Sequence, residues 1–154
     1  RLREPSQPDL IQRRLFTVHL HVFASQGYVD THGQPKSVAE LDDHRIVTFG
    51  EPVPHYLAGL NALETVGKPE GQRRASVLQI NDLMSIMRAV RRGVGLAMLP
   101  DYMAGKDSGL VPILSELEGP SFDTFFVYPE AMKNQAKLKA FRDFMFAKAR
   151  NWAY

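Results

Sequence analysis

The stretch of this chain that most constrains its fold is residues 75–100, where a β-prone segment, a helix start, an amphipathic helix and a second apolar segment follow in order. Residues 75–80 are short and β-prone and end at Asn81-Asp82, side chains suited to accept the free N–H groups of a first helical turn. Leu83, Ile86, Met87 and Val90 then recur at i, i+3, i+4 and i+7, one continuous apolar stripe. Arg88, Arg91 and Arg92 place positive charge at the end where the helix dipole is negative. Gly93 stops the helix, and residues 96–99 form an apolar run of strand length closed by Pro100.

The flanking sequence repeats the alternation. Residues 10–16 and 18–24 read as two extended stretches, the second with Val18, Leu20 and Val22 on one face and His19, His21 and Phe23 on the other. Residues 28–32 suit a short helix ending at Gly33, and Ser37 with Glu40 makes a capping box for another through Asp43. Residues 45–49, 110–114 and 122–128 read as strands, and Asp101 as the cap of a short helix over 102–106. Residues 50–72 are broken by proline and glycine, and 58–66 suit a strand or a helical turn equally. A final helix after Pro129 carries Leu138, Phe141, Met145, Ala149 and Trp152 along one face. Alternating strands and helices imply an open α/β sheet with helices packed on its faces.

Composition narrows the function classes. At 154 residues with 44% apolar content the chain is long enough for one self-sufficient core. It has no cysteine, which excludes disulfides, thiolate metal sites and thiol nucleophiles. A net charge of +2 argues against a surface devoted to phosphate backbones. No apolar run is long enough to span a bilayer and no export signal is visible, so a soluble chain with no membrane partner is expected. It begins Arg1-Leu2-Arg3 without methionine, as expected of a processed or truncated piece of a longer protein.

Catalytic patterns are absent. His19 and His21 share a strand face and can meet one metal ion, but a zinc site needs a third protein ligand, and no other histidine has a selecting spacing. There is no Gly-x-Ser-x-Gly elbow, phosphate loop or dinucleotide fingerprint; Gly93-Val94-Gly95 follows a helix and precedes a strand, the reverse of the order those motifs need. It reads as a helix stop and a close helix–strand contact. The one pointer to a ligand is Asn81-Asp82, where a strand feeding a helix presents free N–H groups at the carboxyl edge of a sheet, although Asp82 itself opposes anions there.

The run from Val77-Leu78-Gln79-Ile80-Asn81-Asp82 through the apolar helix to Gly93-Val94-Gly95 and Leu96-Ala97-Met98-Leu99-Pro100 resembles the effector-binding domain of LysR-type transcriptional regulators. Asp9-Leu10-Ile11, Arg13-Arg14-Leu15, Ala24-Ser25, Tyr28, Gly33, Pro35 and Leu41 with His44 are similar to that family's approach to its second lobe. Gly109-Leu110-Val111-Pro112, Val127-Tyr128-Pro129, Phe141 and Phe144 are similar to its C-terminal part. Gln26 stands where the family commonly has proline.

This resemblance implies an α/β fold of the type 2 periplasmic-binding-protein-like kind, with two lobes joined by crossover strands, the second lobe nearly complete and the first partial. Residues 1–22 would be a remnant of lobe one with the first crossover, 23–122 lobe two, and 123–154 the second crossover with the C-terminal helix of lobe one. It implies a cytoplasmic effector sensor rather than an enzyme. A small polar or anionic molecule would bind between the lobes, contacted by Ser25, Gln26, Gln79, Ile80, Asn81 and Phe126, with no cofactor, no metal and no catalytic residue. Operator DNA would be reached only through a helix-turn-helix that lies outside this sequence, and the full-length protein would be a homodimer or homotetramer. A partial lobe one would expose the apolar face of the last helix, including Phe141, Met145 and Trp152, leaving this piece poorly stable or oligomeric. The alternatives are a solute-binding lobe serving transport and a metal-dependent hydrolase built on His19 and His21.

Overall fold

The computed structural model describes residues 8–105 and 108–150. In chain order the elements are β1 (Leu10–Ser25), α1 (Gln26–His32), β2 (Ile46–Thr48), α2 (Ala62–Thr65), β3 (Ser76–Gln79), α3 (Leu83–Arg91), β4 (Ala97–Pro100), β5 (Leu110–Ile113), β6 (Ser121–Pro129) and α4 (Ala136–Arg150). Short 3-10 turns cover Ala39–Asp43, His55–Asn61, Asp101–Met103 and Glu130–Met132. The two extended stretches expected over 10–24 are one continuous strand. The helix expected after Asp101 is only the 3-10 turn, and residues 106–107 lie outside the described residues. The chain divides into two compact units, His19–Pro120 and the segments flanking it.

In the His19–Pro120 unit, β2 and β3 pair in parallel, with Thr48 opposite Gln79. β1 lies antiparallel to both β4 and β5. The two sets meet at a parallel bridge between Ile46 and Leu96: Val47 N–H donates to the Leu96 carbonyl and Leu96 N–H to the Arg45 carbonyl, both at 2.8 Å. Gly95 makes this approach possible, because a Cβ there would stand 2.5 Å from the Arg45 oxygen. Gly93, at φ 76, ends α3 in the left-handed conformation expected of it.

The stripe of α3 packs as its spacing predicts. Ile86, Ala89 and Val90 are buried against Phe23, Val47, Ala97 and Leu99, with Leu83 and Met87 at the margin. On β1, Val18, Leu20, Val22 and Ala24 are at most 2% exposed. His19 remains exposed on the opposite face, but Phe23 on that face is buried because α3 covers it. β4 is buried throughout, with α3, α2 and the His55–Asn61 turn packed against it. The alternation of strands and helices thus produces a sheet with helical cover.

Residues 50–72, unreadable by periodicity, are held by two polar clasps. The Asn61 amide donates to the Phe49 carbonyl at 2.9 Å and accepts its N–H at 2.8 Å. Arg74, only 9% exposed, donates to the carbonyls of Leu63, Val66 and Val38 and, through Nε, to Asp42 at 2.6 Å. Lys68 and Arg74 together hold the Asp42 carboxyl below its ordinary range. A third clasp anchors α1: the buried Tyr28 oxygen accepts the Arg45 N–H at 3.0 Å and lies 3.1 Å from His44 Nδ1. Burial lowers the His44 pKa from its ordinary 6.5, favouring the neutral ring, whose Nδ1 can accept a hydrogen bond from the Tyr28 hydroxyl in the tautomer protonated at Nε2. The Ser37–Glu40 pair forms, at 3.4 Å in both directions, but the element that follows is a 3-10 turn whose N-cap is Val38 rather than Ser37.

In the flanking unit β6 pairs with β1, and Thr124 Oγ1 bonds both the N–H and the carbonyl of Phe16. α4 meets expectation at Phe141, which is exposed, and departs from it at Met145, which is half-buried. Leu138, Met145 and Ala149 are half-buried, as are Arg142 and Phe146, whereas Phe141 is 54% and Phe144 55% exposed; Trp152 lies outside the described residues.

Two outcomes follow from the clasps. Replacing Arg74 by methionine removes a charged donor from three backbone carbonyls, of which Val38 keeps the Leu41 N–H, and should lower unfolding free energy by about 3 kcal/mol, read from urea denaturation. For His44, the unfolded chain takes up its proton first as pH falls, so the contribution is complete above about 6.5 and is lost as pH drops through the lower folded-state value. His44→Gln should therefore flatten the decline in denaturation midpoint between about pH 7.5 and pH 5.5; an unchanged decline would contradict the clasp.

Candidate functional site

The strand directions define two edges of the His19–Pro120 sheet. β2, β3 and β4 end together at the carboxyl edge, while β1 runs the other way: Leu20 faces Pro100 there, and Phe23 faces Ala97 towards the amino edge. Ser25 is five residues beyond Leu20 on a continuous strand, roughly 16 Å along it at ~3.3 Å per residue. The expectation that Ser25 and Gln26 share one small-molecule site with Gln79, Ile80 and Asn81 is therefore corrected: the two groups lie at opposite edges. Periodicity shows that 18–24 is a strand, but not which way it runs against its neighbours.

At the carboxyl edge the β2–β3 ladder continues for one residue, with Ile80 N–H donating to Thr48 at 3.1 Å and Gly50 N–H to Ile80 at 3.4 Å. Gln79 and Asn81 are exposed, and Ile80 is half-buried against the core. The Asn81 side chain lies so close over Gly50 that a Cβ there would collide with its oxygen. Asp82, not Asn81, is the N-cap of α3: its carboxylate accepts the Ser85 N–H at 2.7 Å and is held below its ordinary pKa chiefly by hydrogen bonding to Ser85. A negative charge already occupies the first turn of the helix. At the end of β4, Asp101 accepts the N–H groups of His19 at 3.3 Å and Tyr102 at 2.8 Å. Phe49-Gly50, Ile80-Asn81 and Pro100-Asp101 thus form a polar rim backed by the apolar core. The contributions of Phe49, Gly50 and Asp101 were missed by sequence reasoning; the strand ends at 49 and 100 were the available signal.

At the amino edge Ser25 is buried, and its hydroxyl is committed to the Tyr28 N–H as the N-cap of α1, at 3.2 Å. The Gln26 amide donates to Asp30 at 2.7 Å. Both residues line a groove of 490 Å³. Phe126, in the flanking unit, packs its ring against Tyr128, Phe141 and Phe146. His19 is exposed, while His21 makes an edge contact with Phe23; among the described residues no group of three or more His, Asp or Glu is placed to hold a metal ion. Among them, too, no helix is long and apolar enough to cross a membrane.

Comparison with known proteins connects this geometry to a family. The family model described as the LysR substrate binding domain matches residues 1–150. An HTH-type transcriptional regulator of Xanthomonas campestris pv. campestris is 29% identical over 150 residues, covering 94% of this chain and 44% of that protein. An uncharacterized HTH-type transcriptional regulator of Haemophilus influenzae is 26% identical over 128 residues, covering 79% of this chain and 42% of that protein. The chain therefore spans less than half the length of these curated relatives. Among solved structures, the regulatory domain of CrgA, a LysR-type transcriptional regulator from Neisseria meningitidis, superposes with a TM-score of 0.76 at 25% identity, over 97% of this chain and 73% of that one. Full-length AphB from Vibrio cholerae gives a TM-score of 0.66 at 24% identity, over 94% and 49%. The fold is the type 2 periplasmic-binding-protein-like α/β fold, and the chain belongs to the LysR substrate-binding domain family.

Proposed function

We propose that this chain is the effector-sensing part of a DNA-binding transcriptional regulator, and that a small ligand binds in the inter-lobe cleft against the carboxyl edge of the His19–Pro120 sheet. The observation that carries this reading is the rim itself: Phe49-Gly50, Ile80-Asn81 and Pro100-Asp101 converge where parallel strands end, the place at which open α/β sheets bind ligands. Gln79 and Asn81 supply neutral donors and acceptors, and Ile80 an apolar contact. With the Asp82 carboxylate already on the first turn of α3, recognition at this edge favours polar, hydrogen-bonding groups over bare anionic charge. Residues 23–122 are read as lobe two, with 1–22 and 123–154, which include Phe126, as parts of lobe one.

The sensor acts by population shift. A ligand bound better by one lobe arrangement biases the domain towards it and alters how a dimer or tetramer presents its DNA-binding parts in the cytoplasm. Such a mechanism requires no catalysis. Neither the transport reading nor the His19–His21 hydrolase gains support from the family to which the chain belongs.

The test is a thermal-shift screen of small carboxylates and aromatics, with neutral polar molecules of similar size beside them, on the full-length gene product, followed by variants of the rim. A true effector at about 100 times its Kd should stabilise the protein by about 2.7 kcal/mol. Asn81→Ala should weaken binding on the order of tenfold, about 1.4 kcal/mol, while Gln26→Ala leaves it unchanged. The reverse pattern would move the effector to the amino edge and sink this assignment.

A further inference from the structure

We propose that the amino-edge groove is a second ligand site, selective for a small organic phosphate. The groove is 490 Å³, within the range of small-molecule sites, and every residue lining it lies in the His19–Pro120 unit. Arg91 and Arg92 enter it from the end of α3, and Gln26, Thr31 and His32 from α1; none of its lining residues is acidic.

The charge is in excess of what the fold requires. A helix C-terminus presents about half a negative charge, whereas Arg91 and Arg92 bring two full positive charges, both exposed and without a carboxylate partner among the described residues. Asp30, the acid nearest in sequence on α1, accepts from the Gln26 amide and does not line the groove. Two guanidinium groups match the charge of a phosphate monoester, whose oxygens they can bind as planar forks. The Thr31 hydroxyl donates to the Gly27 carbonyl at 2.8 Å and retains lone pairs for a protonated phosphate oxygen.

The volume argues for an organic body rather than a bare ion. The His32 ring stacks on Tyr28 with centroids 4.3 Å apart and 10° between planes, giving the groove a flat wall. Gly93 and Gly109, both at positive φ, line it without side chains. The concavity disfavours duplex DNA, whose backbone needs an extended basic surface.

Binding should be measured on this chain by amide NMR titration at fixed ionic strength with inorganic phosphate, glycerol 3-phosphate and a random-sequence duplex. The expected result is saturable shifts at Gly27, Gly93 and Gly109, with glycerol 3-phosphate binding several-fold tighter than phosphate. Arg91→Gln and Arg92→Gln should each weaken it on the order of tenfold, whereas Arg88→Gln, which removes the same charge from the same helix outside the groove, should not. Equal affinity for the two phosphates, equal loss in Arg88→Gln, no saturation, or preferential binding of the duplex would each overturn the proposal.

Discussion

The architecture of the His19–Pro120 unit depends on one close approach of two backbones. Among the described residues, Leu96 bridges the β2–β3 pair to the strands around β1, and its N–H and carbonyl both bond across to the 45–47 segment. That approach is possible because residue 95 has no side chain. Without the bridge, β4 would lose its parallel neighbour and the stripe of α3 the surface it covers. A hydrogen bond contributes only about 1 kcal/mol net, so the junction matters less for its own strength than for the apolar packing it positions.

Much of this was legible in the chain. The stripe at 83, 86, 87 and 90 is unambiguous because helical period and burial agree, and Gly93 is placed where a left-handed stop is required. The family resemblance, built from scattered weak matches, led to the fold that comparison establishes. What was not legible shares a cause: it depends on partners distant in sequence. Residues 50–72 have no period to read because Asn61 and Arg74 hold them through backbone groups far along the chain. Phe146 lies off the apolar stripe of α4 as the sequence spaces it, yet it is half-buried, with its ring against Phe126.

The candidate site shows the same limit more sharply. Asn81 and Asp82 are both good caps, and only the geometry of the turn selects Asp82, leaving the Asn81 amide over Gly50. Ser25 and Gln26 stand beside a strand end, as Gln79 does, and a strand end looks the same in sequence at either edge of a sheet. The antiparallel register of β1 separates them.

The course of α3 has a consequence for genetics. Its cap sits at the carboxyl edge and its arginines at the amino edge, so one rigid rod about 13 Å long, at 1.5 Å per residue, touches both proposed sites. Substitutions at Ile86 or Val90, which contact no ligand, would tilt that rod and disturb both ends together. A screen for unresponsive alleles would collect such core positions beside the rim residues, and only binding measurements at each edge would tell a lost contact from a displaced helix.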